Sequence, residues 1–175
     1  MELKFRTLNE NEIDCRIATI SQKGLSLLLY KDARVDQNIL DEAVGSMNWQ
    51  RHHSRDNANC IVSIWDSEKS QWIEKEDTGT ESYTEKEKGL ASDSFKRACF
   101  NWGIGRELYS APFIWIPADK ANITQGGNGK WQCYDKFYVE QIIYDDARNI
   151  VAISIKNGST GVRVFMMDKR KKESA

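Results

Sequence analysis

Apolar and polar positions recur with two different periods over the first third of the chain. Residues 13–20 and 25–30 are rich in β-forming side chains, and the short Gly-containing connection between them predicts a hairpin. In residues 35–47 the apolar positions recur at spacings of three, four and seven, which predicts an amphipathic helix. Asp32 or Asp36 is available as the N-cap of this helix.

Strand-like runs return over residues 49–80, where β-rich segments joined by polar turns predict an antiparallel meander. The helix that follows is the most clearly delimited element in the sequence. Thr84 and Glu87 have the spacing of a capping box, and the two glycines of the segment 103–105 supply a stop. We therefore expect a helix over residues 85–102.

The last third of the chain predicts a loop, three strands and a tail. Residues 118–130 are polar and glycine-containing, which is typical of an exposed loop. The β-rich runs 137–144, 150–156 and 162–167 predict strands. In residues 168–175, four basic side chains stand against two acidic ones, and we expect a disordered basic tail.

Size and composition limit the fold class and the surroundings of the protein. With 175 residues and 20.1 kDa, the chain has the length of one α+β domain, which we place at residues 1–167. A net charge of -1 excludes a uniformly basic surface but leaves room for a local basic groove. The chain has neither an apolar run of about 20 residues nor a signal-peptide pattern, so we expect a cytoplasmic protein without a membrane partner. Four cysteines without a C-x-x-C pair predict reduced core residues.

The predicted second helix has two chemically different faces. At about 100° per residue, one face gathers a stripe that we expect to be buried: Ala91, Phe95, Ala98 and Trp102. The opposite face gathers basic residues around an aromatic ring: Lys86, Lys96, Arg97 and Phe100, with Asp93 among them. Such a face can neutralise phosphates and offer a ring to a base. The alternative is a solvated face with an Asp93–Arg97 pair worth about 0.3 kcal/mol.

The residue patterns of catalytic and cofactor sites are lacking. His52 and His53 are adjacent, so a strand directs them to opposite faces and they cannot share a metal. The segment 103–105 lacks the third glycine of a dinucleotide fingerprint and follows a helix instead of preceding one. Glu2-Leu3-Lys4, at the chain start, is the only triplet that resembles a nuclease Glu/Asp-x-Lys motif. We therefore expect no enzymatic activity, no cofactor and no metal.

Four blocks, in the same order along the chain, resemble landmarks of a known family. The blocks are Ala33-Arg34-Val35, Met47-Asn48-Trp49, residues 76–80, and the helix 85–98 followed by Asn101-Trp102-Gly103 and Leu108-Tyr109. This order resembles the Rad-fifty-two/Rad-twenty-two family of single-strand annealing proteins over about residues 10–110. Residues 23–32 and 113–116 are similar to the short versions encoded by phages and prophages of low-GC Gram-positive bacteria.

The resemblance implies a β-β-β-α core over residues 10–110, in which the meander packs on the signature helix, and subunits that assemble into a ring. Single-stranded DNA would lie in a basic groove around the ring. The C-terminal antiparallel strands, over 131–167, have no counterpart in the family pattern.

The resemblance also implies which residues contact DNA. Lys96 and Arg97 match the two basic residues of the signature helix that grip the backbone, and Arg34 matches an arginine before the first helix. Lys86, on the same helix face, and Arg51 and Arg55, on the meander, are candidates by position only. Phe100 stands where eukaryotic members have another basic residue, which favours stacking or a subunit contact there.

The expected function is annealing of complementary single strands without ATP, in phage or bacterial recombination and repair. Neutralised phosphates lower the repulsion between two strands while their base edges stay open for pairing. The partners implied are single-stranded DNA, further copies of the chain, and, as candidates, a single-strand-binding protein or exonuclease of the host or phage. Two alternatives remain open at this point: a metal-dependent nuclease and a coating protein that binds single strands without annealing them.

Overall fold

A computed structural model of the chain describes residues 3–80 and 86–170; at 86–88 it describes the backbone alone. The fold is α+β, with two α-helices and mostly antiparallel strands. In chain order the elements are β1 (Asp14–Ser21), β2 (Gly24–Tyr30), α1 (Ala33–Val44), β3 (Trp49–Ser54), β4 (Asn59–Asp66), β5 (Gln71–Thr78), α2 (Lys86–Trp102), β6 (Ile114–Pro117), β7 (Ile123–Gln125), β8 (Trp131–Cys133), β9 (Phe137–Tyr144), β10 (Ile150–Asn157) and β11 (Arg163–Asp168).

The described residues form two compact units. Residues 3–7 and 32–106 make the helical unit, which holds both α-helices and the strands β3 to β5. Residues 8–31 and 107–170 make the sheet unit, which holds all the other strands. This division differs from the expected core over 10–110, because the N-terminal hairpin shares a sheet with the C-terminal strands instead of joining the meander. Pairing between distant segments is decided by tertiary contacts that no local pattern encodes.

The helical unit is built on the predicted meander. Its strands pair in the order β3-β4-β5, so that Arg51, Val62 and Lys75 stand side by side on one face. Helix α2 packs on β4 and β5. Phe95 of α2 is fully buried, and its ring stacks on Trp49 with centroids 6.1 Å apart. Complete burial of one such side chain contributes about 2 to 3 kcal/mol, which makes Phe95 a central residue of this core.

Helix α2 ends where the sequence predicts, whereas α1 spans Ala33–Val44 instead of residues 35–47, because Gly45, at φ +82°, ends it. The structure also settles the choice of N-cap for α1. Asp32 is the N-cap of α1 and accepts a hydrogen bond from Arg34 N, whereas Asp36 is buried within the helix. Helix α2 ends at Trp102, and Gly103 adopts φ +100°, in the left-handed region that favours glycine. The Thr84–Glu87 capping box lies outside the described residues.

The sheet unit is a six-stranded antiparallel sheet in the order β11-β10-β9-β1-β2-β6. The predicted N-terminal hairpin is confirmed as β1 and β2, and the three predicted C-terminal strands are confirmed as β9 to β11. The sequence did not predict β6, a short strand on β2. The edge strands β6 and β11 contact each other, so the sheet curls toward closure.

Two local expectations are corrected, and a third falls largely outside the described residues. The predicted loop 118–130 contains a short 3-10 turn and one strand of the β7–β8 ribbon, because Asp135 accepts hydrogen bonds from the backbone and side chain of Asn122 and orders this segment. Of the four cysteines, Cys60 and Cys99 are buried, but Cys15 and Cys133 are only half-buried. Of the predicted tail 168–175, residues 171–175 lie outside the described part. No helix in the described residues is long and apolar enough to span a membrane.

Candidate nucleic-acid interface

Arg97 lies on the solvent-facing side of α2, and the carboxylate of Asp93 holds its side chain in place. Its Nε donates to Asp93 Oδ2 at 2.9 Å, one turn earlier on the helix, and its side chain is 43% exposed. Asp93 also accepts a hydrogen bond from Thr80 N at 2.8 Å. Burial of Asp93 would raise its pKa, but the hydrogen bonds from Thr80 and Arg97 outweigh this and lower the pKa. The Asp93–Arg97 pair that the sequence predicts is therefore present, and it orients a cation toward solvent.

A close approach of the chain to α2 sets the position of Thr80. A Cβ added to Gly79 would lie 2.6 Å from Ser94 N and 2.9 Å from Leu90 O, both backbone atoms of the helix. Only glycine fits there, so the end of the meander can pass directly over α2 and deliver Thr80 to Asp93.

Arg34 and Lys96, 62 residues apart in the sequence, both act on the carboxylate of Asp32. Arg34 Nε donates to Asp32 Oδ1 at 2.9 Å, and the Arg34 side chain is 83% exposed. The pKa of Asp32 is lowered, first by these hydrogen bonds from Arg34 and to a smaller extent by the charge of Lys96. Lys96 itself is half-buried on α2. The N-terminus of α1 and the middle of α2 thus place two of the predicted cations within electrostatic range of one carboxylate.

Arg51 lies on the opposite side of α2 from Arg97. Its guanidinium is 4.7 Å from the ring centroid of Phe95, over the buried stripe of the helix. Phe95 and Arg97 are two residues apart on α2, and so point about 160° away from each other. Arg51 therefore lies on the side of α2 that packs on the meander, and it stabilises the core through a cation–π contact.

Arg55 lies in the turn between β3 and β4, where the backbone is unusual. Arg55, Asp56 and Asn57 all have φ between +51° and +69°, which side-chain-bearing residues rarely adopt. Ser94 Oγ of α2 donates to Asn57 O at 2.9 Å and so ties this turn to the helix. The side chain of Arg55 is exposed. Arg55 is thus an exposed cation in the β3–β4 turn of the meander, and α2 holds this turn in place.

Phe100 is expected on the basic face of α2, and its environment in the structure reveals a residue that sequence reasoning missed. Phe100 is half-buried, and the guanidinium of Arg106 lies 5.4 Å from its ring centroid. Arg106 also donates to Phe100 O at 2.8 Å and to Asn101 O at 2.9 Å, so it closes the C-terminal end of α2. The glycines at 103 and 105, both with positive φ, turn the chain back and bring Arg106 to this position.

The signal for Arg106 was present in the sequence as a cation one turn after a glycine stop, which is the usual place for a charge that complements the helix dipole. A positive charge therefore stands beside Phe100 even though residue 100 is not basic. Lys86 is the first residue of α2, and its side chain lies outside the described atoms.

The site has the chemistry of a phosphate-binding surface. Arg34, Lys96, Arg97 and Arg106 supply guanidinium and ammonium donors along α1 and α2, the groups that bind phosphate oxygens in proteins. Within residues 3–80 and 86–170, no group of three or more His, Cys, Asp or Glu side chains could hold a metal ion.

Comparisons with known proteins add no relative. No family model matches the chain, and no curated protein and no solved structure is significantly similar to it.

Proposed function

We propose that this protein binds single-stranded DNA along α1 and α2 of the helical unit and anneals complementary strands without ATP. The observation that carries the proposal is that Arg34 pairs with Asp32 while the charge of Lys96, on the other helix, acts on the same carboxylate, with Arg97 one residue further on α2. The resemblance matches Lys96 and Arg97 to the residues that grip the DNA backbone, and Arg34 to an arginine before the first helix. Arg34 and Lys96 are 62 residues apart in the sequence, so only the fold brings both within electrostatic range of Asp32.

Two further features support the proposal. The helical unit contains three antiparallel strands followed by a helix packed on them, which is the order that the resemblance implies for the core. Arg106 supplies a cation beside Phe100, where the family pattern has a basic residue. We propose that the subunits assemble into a ring, because a subunit with few cations needs symmetry to form a continuous basic track.

The proposal extends to the cellular role. A phage or prophage protein of this kind acts in recombination in the bacterial cytoplasm, and a single-strand-binding protein or an exonuclease is the candidate partner. The alternatives are a nuclease and a coating protein, and each makes a different prediction in a single assay.

The deciding experiment mixes the purified protein with two complementary labelled oligonucleotides in the presence of chelator and without nucleotide. We expect pairing to be faster than the spontaneous rate and the strands to stay intact. A requirement for ATP or magnesium, or cleavage of the strands when magnesium is added, would contradict the proposal. Slower pairing than in buffer would favour the coating protein instead. Light scattering on the same samples measures assembly, and a 20 kDa monomer both with and without DNA would contradict the ring.

A further inference from the structure

A groove of about 600 Å³ opens on the sheet unit beside β1, and none of the residues assigned above to DNA lines it. Three aromatic residues and two cations line it: Tyr30, Tyr134 and the buried Phe137, with Arg16 and Lys136. Two half-buried thiols, Cys15 and Cys133, lie in the same wall. The proposed function gives this groove no role.

The tyrosines of this region are exposed to an extent that packing does not require. Tyr134 is 79% exposed, Tyr138 46% and Tyr30 42%. Asp14 of β1 pairs with Tyr30 of β2 on one side and with Tyr138 of β9 on the other, so both rings stand on the same face of the sheet. Neighbouring strands lie about 4.8 Å apart, which places the two tyrosines about 10 Å from each other. Exposed rings grouped on one sheet face indicate a binding surface.

Two cations and two carboxylates line the groove, and its cations stand where they can meet the phosphates of a ligand. The guanidinium of Arg16 lies 6.0 Å from the ring centroid of Tyr30. Asp135 also lines the groove, but its carboxylate is engaged by Asn122 and Asn157 at 2.7 to 2.8 Å.

The sheet beside the groove adds two more cations. Lys156 pairs with Tyr138 across β10 and β9, and it shares the carboxylate of Glu140 with Arg163. Four cations, Arg16, Lys136, Lys156 and Arg163, therefore stand against three carboxylates, Asp14, Asp135 and Glu140.

We propose that this groove is a base-stacking subsite for single-stranded DNA, in which a base lies against a tyrosine and the flanking phosphates meet Arg16 and Lys136. The subsite deepens the proposed function and rests on it for the identity of the ligand. A base presents its flat face to a ring only when it is not paired, so this surface selects single strands over duplex. Because the surplus of positive charge is small, stacking supplies most of the affinity and the salt dependence is shallow.

The first test uses the unmodified protein and its own cysteines. Cys133 and Cys15 are labelled with a maleimide at pH 9, at an elevated pH because burial raises the pKa of both thiols. We expect a saturating dT oligonucleotide to slow the labelling of Cys133 at least threefold, and an abasic oligonucleotide of the same length to leave it unchanged. Cys60 and Cys99, which are buried, are the internal controls for unfolding. Equal labelling with and without dT overturns the subsite.

The second test compares a variant that lacks the three exposed tyrosines of this region with a control that lacks one exposed tyrosine elsewhere in the same unit. In the first, Tyr30→Leu, Tyr134→Ser and Tyr138→Leu are combined; the control is Tyr109→Ser, a tyrosine of the same unit that does not line the groove. We expect the triple variant to bind dT about tenfold more weakly with an unchanged salt slope, because stacking and not phosphate contact is lost. The control should bind as the parent does.

The outcomes separate the subsite from the function on which it rests. If the parent anneals DNA but the triple variant binds dT as well as the parent, the subsite is wrong and the proposed function stands. If the parent binds no oligonucleotide, both are wrong. Protection of Cys133 that follows protein concentration and not dT would assign the groove to a second copy of the chain, which also overturns the subsite.

Discussion

The two units of this protein differ in charge in a way that runs against their expected roles. By sequence, residues 1–7 and 32–106 carry 12 basic and 15 acidic side chains, whereas residues 8–31 and 107–175 carry 13 basic and 11 acidic ones. The predicted DNA contacts nevertheless all lie in the first, acidic set. The net charge of a unit therefore does not identify a phosphate-binding surface; what matters is where the cations stand.

The units also differ in what they leave exposed. In the helical unit α2 covers one face of the meander, and its exposed large apolar residues among those described are Met47, Trp65 and Trp72. The described part of the sheet unit contains no α-helix, and it exposes many more: Leu28, Tyr30, Tyr109, Phe113, Trp115, Tyr134, Tyr138, Val162 and Met166. A sheet without a covering helix keeps apolar side chains in solvent, and these are available for binding.

The largest effect is expected from a change in the core of the helical unit. Phe95→Ala removes a fully buried ring that contacts Trp49 and Arg51, and it should cost about 3 to 5 kcal/mol of unfolding free energy. Hydrogen exchange followed by mass spectrometry should show the loss of protection in β3 to β5 and α2 and unchanged protection in β9 and β10. Equal loss in both sets of strands would show that the two units unfold as one, and would break the comparison.

The next largest effect concerns DNA affinity. Lys96→Ala combined with Arg97→Ala should abolish annealing and weaken single-strand binding, with the slope of log affinity against log salt shallower by about one to two. The Asp93–Arg97 pair is exposed to solvent, so its loss should change stability by less than about 0.5 kcal/mol. Lys23→Ala with Lys130→Ala removes the same charge from loops of the sheet unit and should change neither the affinity for single strands nor its salt slope. Binding of the first variant equal to that of the parent at every salt concentration would leave Lys96 and Arg97 as a solvated helix face.

An acid titration tests the contribution of one carboxyl group to the stability of the sheet unit, without DNA. Hydrogen bonds from Arg163 and Lys156 lower the pKa of Glu140 in the sheet unit to about 2. A carboxyl whose folded pKa is depressed stabilises the fold above its unfolded pKa of about 4.3, and this stabilisation is lost as the pH falls toward 2. Glu140→Gln lacks the titrating group, so its stability should fall less than that of the parent between pH 5 and pH 2. Circular dichroism measures the stability of both proteins across this range. Parallel stability curves for the parent and Glu140→Gln would show that Glu140 contributes nothing.

The smallest effect is expected at Arg106, which the resemblance did not single out. Arg106→Gln removes a charge at the C-terminus of α2 and should reduce single-strand affinity two- to fivefold, with a salt slope shallower by up to about one. Arg106→Lys keeps the charge but loses the planar stack on Phe100 and should recover most of the affinity. If Lys and Gln behave alike in a fluorescence anisotropy titration, Arg106 has a role in ending the helix and none in binding phosphate.

The sequence predicted the elements better than it predicted their partners. The end of α2 at Trp102, the first hairpin and the last three strands follow from glycine stops and β-rich runs, which are local signals. The membership of β1 and β2 in a sheet with β9 could not be deduced, because hydrogen-bond partners between distant strands leave no mark in either segment. The same limit hid the short strand β6 and the ordered β7–β8 ribbon.

What the sequence alone determined is the two helices, the first hairpin, the meander and the last three strands, together with the identity of the candidate cations: the helix that carries Lys96 and Arg97 and the N-cap region that carries Arg34. Only the tertiary structure decided how these residues are used. It brought Arg34 and Lys96 to one carboxylate, turned Arg51 onto the buried ring of Phe95, and placed Arg106 beside Phe100. A charge is encoded by one residue, but its environment is made by segments far away in the chain, and a binding surface depends on both.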